Sequence, residues 1–179
     1  VGRIQPHCEV KIVEDDGSTC AGGQTGELWT KGYLVMKGYW NDSEATQSSI
    51  ENGWMKTGDL ATIDNEGFCR IVGRKKDMVI RGGENIYPAE LEEFLTAQKG
   101  ILEAHVFGIP DEKFGEQLVA WIIAEEGATL DEPTIRNLCK NALAYYKVPA
   151  IVRFVKEVPL TATGKPQKFK MREIMLSET

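Results

Sequence analysis

The chain has 179 residues, of which 42% are hydrophobic and 27% charged, and its formal net charge is -6. This composition is typical of a folded globular protein and argues against intrinsic disorder. The acidic balance argues against general binding to nucleic acid or to anionic lipid. No apolar stretch in the sequence is long enough to cross a bilayer.

The cysteine pattern indicates free thiols rather than a metal site. No two cysteines form a C-x-x-C pair, and only His7 and His105 could add nitrogen ligands, so the sequence predicts no structural zinc site. A chain of this size can build a core without cross-links. We therefore expect free thiols at all four positions: Cys8, Cys20, Cys69 and Cys139.

The first part of the chain shows short strands separated by turns. A helix is predicted from Asn41 to about Ile50, because Asp42 and Ser43 are good N-caps. Short strands at this spacing indicate a small barrel-like or sandwich subdomain. Strands are predicted where polar and apolar residues alternate or where an apolar segment lies next to turn residues. These strands are 9–13, 27–31, 59–63 and 68–72.

The pattern changes after Gly73, where strands and helices alternate. Pro88 predicts the first turn of a helix, Asp131 the N-cap of a second helix, and Lys168 the start of a short terminal helix. Buried strands are predicted at 103–109, 118–124 and 151–155. The predicted fold class is therefore α+β, with a β-rich, barrel-like subdomain over residues 1–74 and a small α+β domain over residues 75–179.

One candidate for chemistry is the stretch Gly53-Trp-Met-Lys-Thr-Gly-Asp59. Thr-Gly-Asp alone is most often a simple turn. The functional alternative is a carboxylate held at a turn to accept two hydrogen bonds from a ribose diol, because a carboxylate has two acceptor oxygens. The residues alone leave both interpretations open.

A second candidate is the glycine pair in Arg81-Gly82-Gly83-Glu84, which lies between two apolar segments. The pair could form a hairpin, or it could let a ligand approach the backbone closely because glycine has no side chain. The residues alone favour neither interpretation.

A third candidate is Pro159-Leu-Thr-Ala-Thr-Gly-Lys165. It does not match the phosphate-loop pattern G-x-x-x-x-G-K-[ST], since Pro159 stands at the first position and Pro166 follows the lysine. Lys165 is then either a cation aimed at phosphate or, more commonly, a surface lysine. The basic run from Lys165 to Arg172 is interpreted as a solvated helix face.

Taken together and in this order, the three stretches resemble signature motifs of the adenylate-forming superfamily, which includes acyl-CoA synthetases, peptide-synthetase adenylation domains and beetle luciferases. The resemblance runs along nearly the whole chain, from Val1-Gly2-Arg3 through Val35-Met-Lys-Gly-Tyr-Trp40. The run Gly-Gly-Glu-Asn-Ile-Tyr-Pro-Ala-Glu90 looks most like medium-chain and general fatty acyl-CoA synthetases. Since the chain has no initiator Met and no signal-peptide pattern, we expect it to be cut from a longer protein.

The resemblance implies a role for individual residues. Lys165 would be the catalytic cation that bridges the carboxylate and the α-phosphate, and Pro166 would stiffen its loop without threatening that role. Lys76 stands where the family has its hinge residue. The nucleotide would be bound by Asp59 and Arg74, and the coenzyme A channel would be lined by Gly82, Gly83, Glu84 and Asn85.

The resemblance also implies ATP, coenzyme A and a fatty or other carboxylic acid as substrates. The family's phosphate loop, its magnesium-binding Glu and its acyl pocket lie upstream of this sequence, so we expect no metal site here and no activity from the chain alone. Residues 1–74 would complete a large AMP-binding domain, and residues 75–179 would form a mobile lid. The expected partner is the N-terminal part of the same enzyme, and the expected location is the cytoplasm, or the mitochondrial matrix in a eukaryote.

Two alternatives to a fatty acyl-CoA synthetase stay open. The chain could belong to an adenylation domain that loads a carrier protein, although a carrier domain would normally follow, and the sequence stops at Leu176-Ser-Glu-Thr179 without a linker. It could also be a non-catalytic module that only binds coenzyme A or a partner.

Overall fold

The computed structural model describes residues 2–178. The chain divides into two compact units, one ending at Lys76 and the other beginning at Asp77. Each unit has its own sheet and its own hydrophobic core. The sequence-based division between residues 74 and 75 lies two residues earlier, and the assignment of the units to the two domains of a larger enzyme stays a prediction.

The first unit is built on a six-stranded antiparallel sheet with the order β1-β6-β5-β3-β2, in which β4 pairs with β5. A single short helix, α1 (Ser43–Ser49), is capped by the Asp42 carboxylate, which accepts a hydrogen bond from the Ala45 N–H at 2.8 Å. The strands are β1 (Gly2–Arg3), β2 (Cys8–Val13), β3 (Gly26–Gly32), β4 (Ile50–Glu51), β5 (Trp54–Ile63) and β6 (Phe68–Arg74).

Strand β5 differs from the expectation in a way that affects the site. The predicted strand began at Asp59, and Thr57-Gly58-Asp59 was interpreted as a turn. In the structure the strand begins at Trp54, because residues 54–56 already pair with β3 and β4. The Thr-Gly-Asp segment therefore lies inside a strand.

The second unit has a five-stranded sheet with the order β11-β10-β7-β8, in which β9 also pairs with β10. Strands β10 and β11 are parallel, and the other pairs are antiparallel. A 3₁₀ turn, Lys75–Asp77, leads into this unit, and a second one spans Tyr145–Lys147. The elements are β7 (Val79–Arg81), β8 (Glu84–Ile86), α2 (Pro88–Thr96), β9 (Ile101–Asp111), β10 (Gly115–Ala124), α3 (Glu132–Ala142), β11 (Ile151–Phe154) and α4 (Lys168–Ser177).

Helices cover both faces of this second sheet. Leu118, Ala120 and Ile122 of β10 share one core cluster with buried residues of α2 and α3, whereas Val119 and Trp121 share another with Met171 of α4. Because both faces are buried, β9 and β10 appear in the sequence as nearly continuous apolar runs. The architecture confirms the predicted α+β class with a β-rich first part.

The helix boundaries follow the sequence signals closely. Pro88 opens α2, and the Asp131 carboxylate caps α3 by accepting from the Thr134 N–H at 2.9 Å. Helix α3 ends at Ala142, because the next residue, Leu143, adopts an extended backbone. Among the described residues, no helix is long and apolar enough to span a membrane.

Candidate functional site

Asp59 projects from a bulge in strand β5. Glu27 pairs with Leu60 and Trp29 pairs with Lys56, so three residues of β5 stand opposite the single residue Leu28 of β3. Gly58, at the centre of the bulge, has φ +71°, a conformation that glycine adopts without steric cost. Bulges of this kind redirect a side chain away from its regular position in the pleat.

Three hydrogen bonds fix the bulge. The Thr57 hydroxyl donates to the Leu28 carbonyl at 2.7 Å, the Asp59 N–H donates to Thr57 Oγ1 at 3.1 Å, and the Gly58 N–H donates to Glu27 Oε1 at 3.2 Å. The Glu27 side chain is only 12% exposed. Sequence reasoning missed Glu27, because it lies in a strand and its partner is 31 residues away.

The two predicted nucleotide-binding residues lie side by side. Asp59 on β5 is the direct cross-strand partner of Arg74 on β6, and the Arg74 Nε lies 2.7 Å from Asp59 Oδ1. The Arg74 side chain is 56% exposed and that of Asp59 is 28% exposed. The pair is therefore accessible to a ligand.

Lys75, which lies just before the boundary between the two units, is held by ion pairs within the first unit. Lys75 Nζ contacts Asp15 Oδ1 at 2.9 Å and Glu27 Oε2 at 3.2 Å. The hydrogen bond that Lys75 donates to Asp15, followed by the one it donates to Glu27, raises the pKa of Lys75 above its usual value. Lys76, by contrast, is exposed and forms no ion pair within residues 2–178.

The glycine pair forms a two-residue hairpin turn between β7 and β8, whose flanking residues Arg81 and Glu84 are paired. Gly82 has φ +59° and Gly83 φ +88°, as a type I′ turn requires. A Cβ built on Gly83 would meet no atom within 4 Å. The hairpin interpretation is thus correct, and the open side of the turn also leaves room for a ligand against the backbone.

Lys165 lies in a closed loop that joins β11 to α4. The Thr161 N–H donates to the Lys165 carbonyl at 2.8 Å, and the Lys165 N–H donates to Thr161 Oγ1 at 3.0 Å. Leu160 and Pro166 form a bridge at the base of this loop. Its backbone is therefore fixed, while the Lys165 ammonium is exposed and forms no ion pair in the part of the chain that the structure describes.

The interpretation of the basic run as a solvated helix face is wrong for two of its members. Lys168 Nζ lies 2.7 Å from Glu92 Oε1, and Arg172 Nη2 lies 3.4 Å from Glu116 Oε1. These partners come from distant elements, α2 and β10, which a sequence pattern does not reveal. Both cations therefore hold α4 against its own unit.

Sequence reasoning missed a cationic cavity of about 410 Å³, which is lined in part by Arg81, the residue that precedes the glycine turn. Arg81 connects the two features: it flanks the turn, lines the cavity and donates through Nη1 to the Tyr146 carbonyl at 2.7 Å. Arg136 donates to the Ala150 carbonyl at 3.2 Å, and Lys140 is exposed. The lining residues are Arg81, Arg136, Lys140, Tyr145, Val148 and Ala150.

The described residues show no metal-binding arrangement. Within residues 2–178, no three His, Cys, Asp or Glu side chains lie close enough together to hold a metal ion. The four cysteines are free, as expected. Burial raises the thiol pKa of Cys69 and of Cys139 above the usual value.

Comparison with known proteins follows the same division of the chain. Residues 1–40 match the family model of the AMP-binding enzymes, and residues 90–165 match that of the AMP-binding enzyme C-terminal domain. YngI of Bacillus subtilis, which is named as an acyl-CoA synthetase, is 51% identical over 96% of the chain. The mitochondrial medium-chain acyl-CoA ligase ACSF2 of Rattus norvegicus is 47% identical over 98% of the chain. The chain spans only 32% and 29% of the lengths of these two relatives.

Solved structures show the same fold. ATP-bound MatB of Rhodopseudomonas palustris matches 97% of the chain with a TM-score of 0.92 at 38% identity, whereas apo MatB gives a TM-score of 0.72 at the same identity and coverage. The amide bond synthetase McbA of Marinactinospora thermotolerans matches 98% of the chain with a TM-score of 0.91 at 37% identity. The chain covers 35% of MatB and of McbA. By these sequence and structural matches, the chain belongs to the adenylate-forming superfamily of AMP-binding enzymes.

Proposed function

We propose that the chain is the C-terminal part of a longer acyl-CoA synthetase, which activates a carboxylic acid with ATP and transfers the acyl group to coenzyme A. The observation that carries the proposal is the presence of two distinct surfaces on the second unit. One presents the exposed ammonium of Lys165, and the other presents an open glycine turn, preceded by Arg81 of the cationic cavity. The two surfaces suit the two steps of this reaction.

In the first step the acid attacks the α-phosphate of ATP, forms acyl-AMP and releases pyrophosphate. We assign Asp59 and Arg74 to the nucleotide, with the ribose hydroxyls donating to the Asp59 carboxylate. Negative charge develops on the α-phosphate and on the departing pyrophosphate. A cation held ready in a fixed loop, as Lys165 is, stabilises such charge without reorganisation.

In the second step the thiolate of coenzyme A attacks the acyl carbonyl, and AMP leaves. The slender pantetheine arm would pass along the backbone at Gly82 and Gly83, next to Glu84 and Asn85 of the adjoining strand. The phosphates of coenzyme A would lie in the neighbouring cavity, whose cations are Arg81, Arg136 and Lys140. This cavity supports coenzyme A as the thiol substrate.

One unit can serve both steps if it moves about a hinge, and we assign that hinge to Lys76. The chain is anchored as far as Lys75 and passes into the second unit after Lys76. The two MatB structures support the idea of such motion in this family: the ATP-bound form matches the chain with a TM-score of 0.92 and the apo form with 0.72, at the same identity and coverage.

We propose that the missing two thirds of the enzyme supply the phosphate loop, the acyl pocket and the ligands of Mg²⁺. The described residues offer no cluster that fits this ion. The segment 33–40 provides a surface for the upstream part, because four of its large side chains are exposed: Tyr33 (67%), Leu34 (61%), Tyr39 (47%) and Trp40 (93%). Exposed apolar groups concentrated in this way mark an interface.

A second candidate is an amide-forming enzyme, which would use an amine in place of coenzyme A. The close structural match to the amide bond synthetase McbA favours this alternative, and transfer to a carrier protein is a related possibility. The three differ only in the group that accepts the acyl chain. We expect an enzyme that uses coenzyme A to act inside the cell, in the mitochondrial matrix if it follows ACSF2.

The test is to assay the purified full-length enzyme with ATP, Mg²⁺ and a series of fatty acids, adding coenzyme A, an amine or a phosphopantetheinylated carrier protein in turn. We expect coenzyme A to stimulate AMP release and to yield acyl-CoA, identified by mass spectrometry. The 179-residue chain alone should catalyse no ATP–pyrophosphate exchange. AMP release stimulated only by an amine or a carrier protein would refute the assignment of the acceptor.

A further inference from the structure

Glu116 on β10 is bound by two elements that carry different parts of the proposed chemistry. Its Oε2 accepts the Ile80 N–H at 2.9 Å, and its Oε1 lies 3.4 Å from Arg172 Nη2. Ile80 belongs to β7, which leads directly into the Gly82–Gly83 turn. Arg172 belongs to α4, which begins three residues after Lys165. A single carboxylate therefore connects the glycine turn to the helix that follows the catalytic loop.

The surroundings of this carboxylate are tightly packed. A Cβ built on Gly108 would lie 2.9 Å from Val79 Cγ1 and 3.0 Å from Glu116 Oε1. Gly108 thus leaves room for the Glu116 side chain against the start of β7. The Glu116 side chain is only 23% exposed, so its position is set by packing as well as by its two partners.

Strand β7 needs this support because it is short. It contains three residues, and its pairing with β10 consists of the single position Arg81–Gly115. The Ile80 N–H is satisfied by a side chain, Glu116, rather than by a strand. A charge-assisted hydrogen bond at that position fixes the approach of the strand to its turn.

Glu92 of α2 also binds both a strand N–H and a cation of α4, but its strand is β9, which does not lead into the glycine turn. Its Oε1 accepts the Val106 N–H of β9 at 2.7 Å and contacts Lys168 Nζ at 2.7 Å. Lys168 and Arg172 are one helical turn apart on α4, and the buried residue Met171 lies between them in the sequence. Both carboxylates therefore fix the helix, whereas only Glu116 also fixes β7.

We infer that Glu116 is a positioning residue for both half-reactions. It acts on thioester formation through Ile80 and the glycine turn, and on adenylation through Arg172, α4 and the Lys165 loop. The inference rests on the proposed function for its kinetic consequences, whereas its structural part is independent of that function.

The kinetic experiment measures the two half-reactions of the full-length enzyme separately. Arg172→Met should slow acyl-AMP formation about tenfold to a hundredfold, because a misplaced catalytic group costs that much, and should leave the conversion of supplied acyl-AMP to thioester unchanged. Glu116→Ala should slow both steps. Glu116→Gln keeps an acceptor for the Ile80 N–H, so it should behave like Arg172→Met.

Arg153→Met is the matched control, since Arg153 is 37% exposed against 42% for Arg172 and is also paired with a glutamate, Glu178. It should leave both steps unchanged. In each slowed variant the kcat should fall while the KM for ATP and for coenzyme A stays the same, and Arg172→Lys should recover part of the adenylation rate. Equal loss of both steps in Arg172→Met, or normal rates in Glu116→Ala, would overturn the inference.

A second measurement uses the 179-residue chain itself and needs no activity. Amide hydrogen exchange at Ile80 should be faster in Glu116→Ala than in the unmodified chain, and unchanged in Arg172→Met. Unchanged exchange in Glu116→Ala would overturn the inference even if the enzyme proves to be an acyl-CoA synthetase. Absence of acyl-AMP formation by the unmodified full-length enzyme would refute the proposed function alone.

Discussion

Asp59 and Arg74 form an ion pair, so a nucleotide bound as we propose would engage a carboxylate that already has a partner. Because the Arg74 side chain is 56% exposed, solvent screens this ion pair and it contributes little to stability. Arg74 can therefore leave Asp59 at small cost and turn toward a ligand. The rigid part of the site is the backbone of the bulge, fixed through Thr57 and Glu27.

In the full-length enzyme, Asp59→Ala should weaken the use of ATP without unfolding the protein. Loss of a charge-assisted hydrogen bond to a ribose hydroxyl costs about 1.5–3 kcal/mol. The kcat/KM for ATP should then fall about tenfold to a hundredfold. The free energy of unfolding should change by less than about 1 kcal/mol, because the lost ion pair is half-exposed. Steady-state kinetics and urea unfolding measure the two effects.

Lys56→Met provides the comparison for this prediction. Lys56 forms an ion pair with Glu51 at 2.8 Å on the same sheet, and its side chain is 31% exposed. We expect a similarly small loss of stability and an unchanged dependence on ATP. If Asp59→Ala and Lys56→Met affect ATP use equally, Asp59 has only a structural role.

At the scale of single elements, local sequence signals predicted the helices and most strands well. The Asp131 cap, Pro88 at the first turn of α2 and the start of α4 at Lys168 all depend on neighbouring residues. Thr57-Gly58-Asp59 was misinterpreted because glycine and aspartate are also the usual residues of turns. Only the pairing of β5 with β3 on both sides of the segment shows that it is a bulge.

The contacts that shape the second unit could not be predicted in the same way, because their partners are distant in the chain. Glu116 lies 36 residues from Ile80, and Arg81 lies 65 residues from Tyr146. The cationic cavity likewise forms only when β7, α3 and the segment after it come together. The resemblance of the motifs suggested Lys165 and Gly83, but not the residues that hold their elements in place.

The two loops of the second unit make a reciprocal prediction. In the full-length enzyme, Lys165→Ala should slow acyl-AMP formation on the order of a hundredfold to a thousandfold, as loss of a preorganised electrostatic group does. It should still convert supplied acyl-AMP and coenzyme A into thioester. Gly83→Leu should do the reverse, because its side chain would occupy the open space beside the turn. Rapid-quench assays of each step measure both effects.

Gly127→Leu is the control that distinguishes a blocked coenzyme A channel from backbone strain in this experiment. Gly127 has φ +78°, close to the +88° of Gly83, and a Cβ there would also meet nothing within 4 Å. Both substitutions therefore carry a similar strain of roughly 1–2 kcal/mol. Gly127→Leu should retain thioester formation. Loss of that step in both glycine variants would attribute the effect to strain instead of to a blocked channel.

At the scale of the whole molecule, the proposal requires the second unit to take two positions in turn. The hinge should be a residue at the end of the first unit whose side chain is not held by an ion pair. Lys76 meets this description, since Lys75 is held by Asp15 and Glu27 while Lys76 forms no ion pair in the described chain. Hinges of this kind absorb a large change in backbone dihedral angles at few residues.

Restricting the backbone at Lys76 should therefore separate the two steps. Proline fixes φ near -65°, so Lys76→Pro in the full-length enzyme should permit only the position compatible with that angle. We expect one half-reaction to proceed at its normal rate and the other to be lost. Lys76→Ala removes the same ammonium but leaves φ free, and should retain both. If Lys76→Pro also retains both steps, the hinge lies elsewhere in the chain; if Lys76→Ala loses a step, the lysine acts through its charge and not through its backbone.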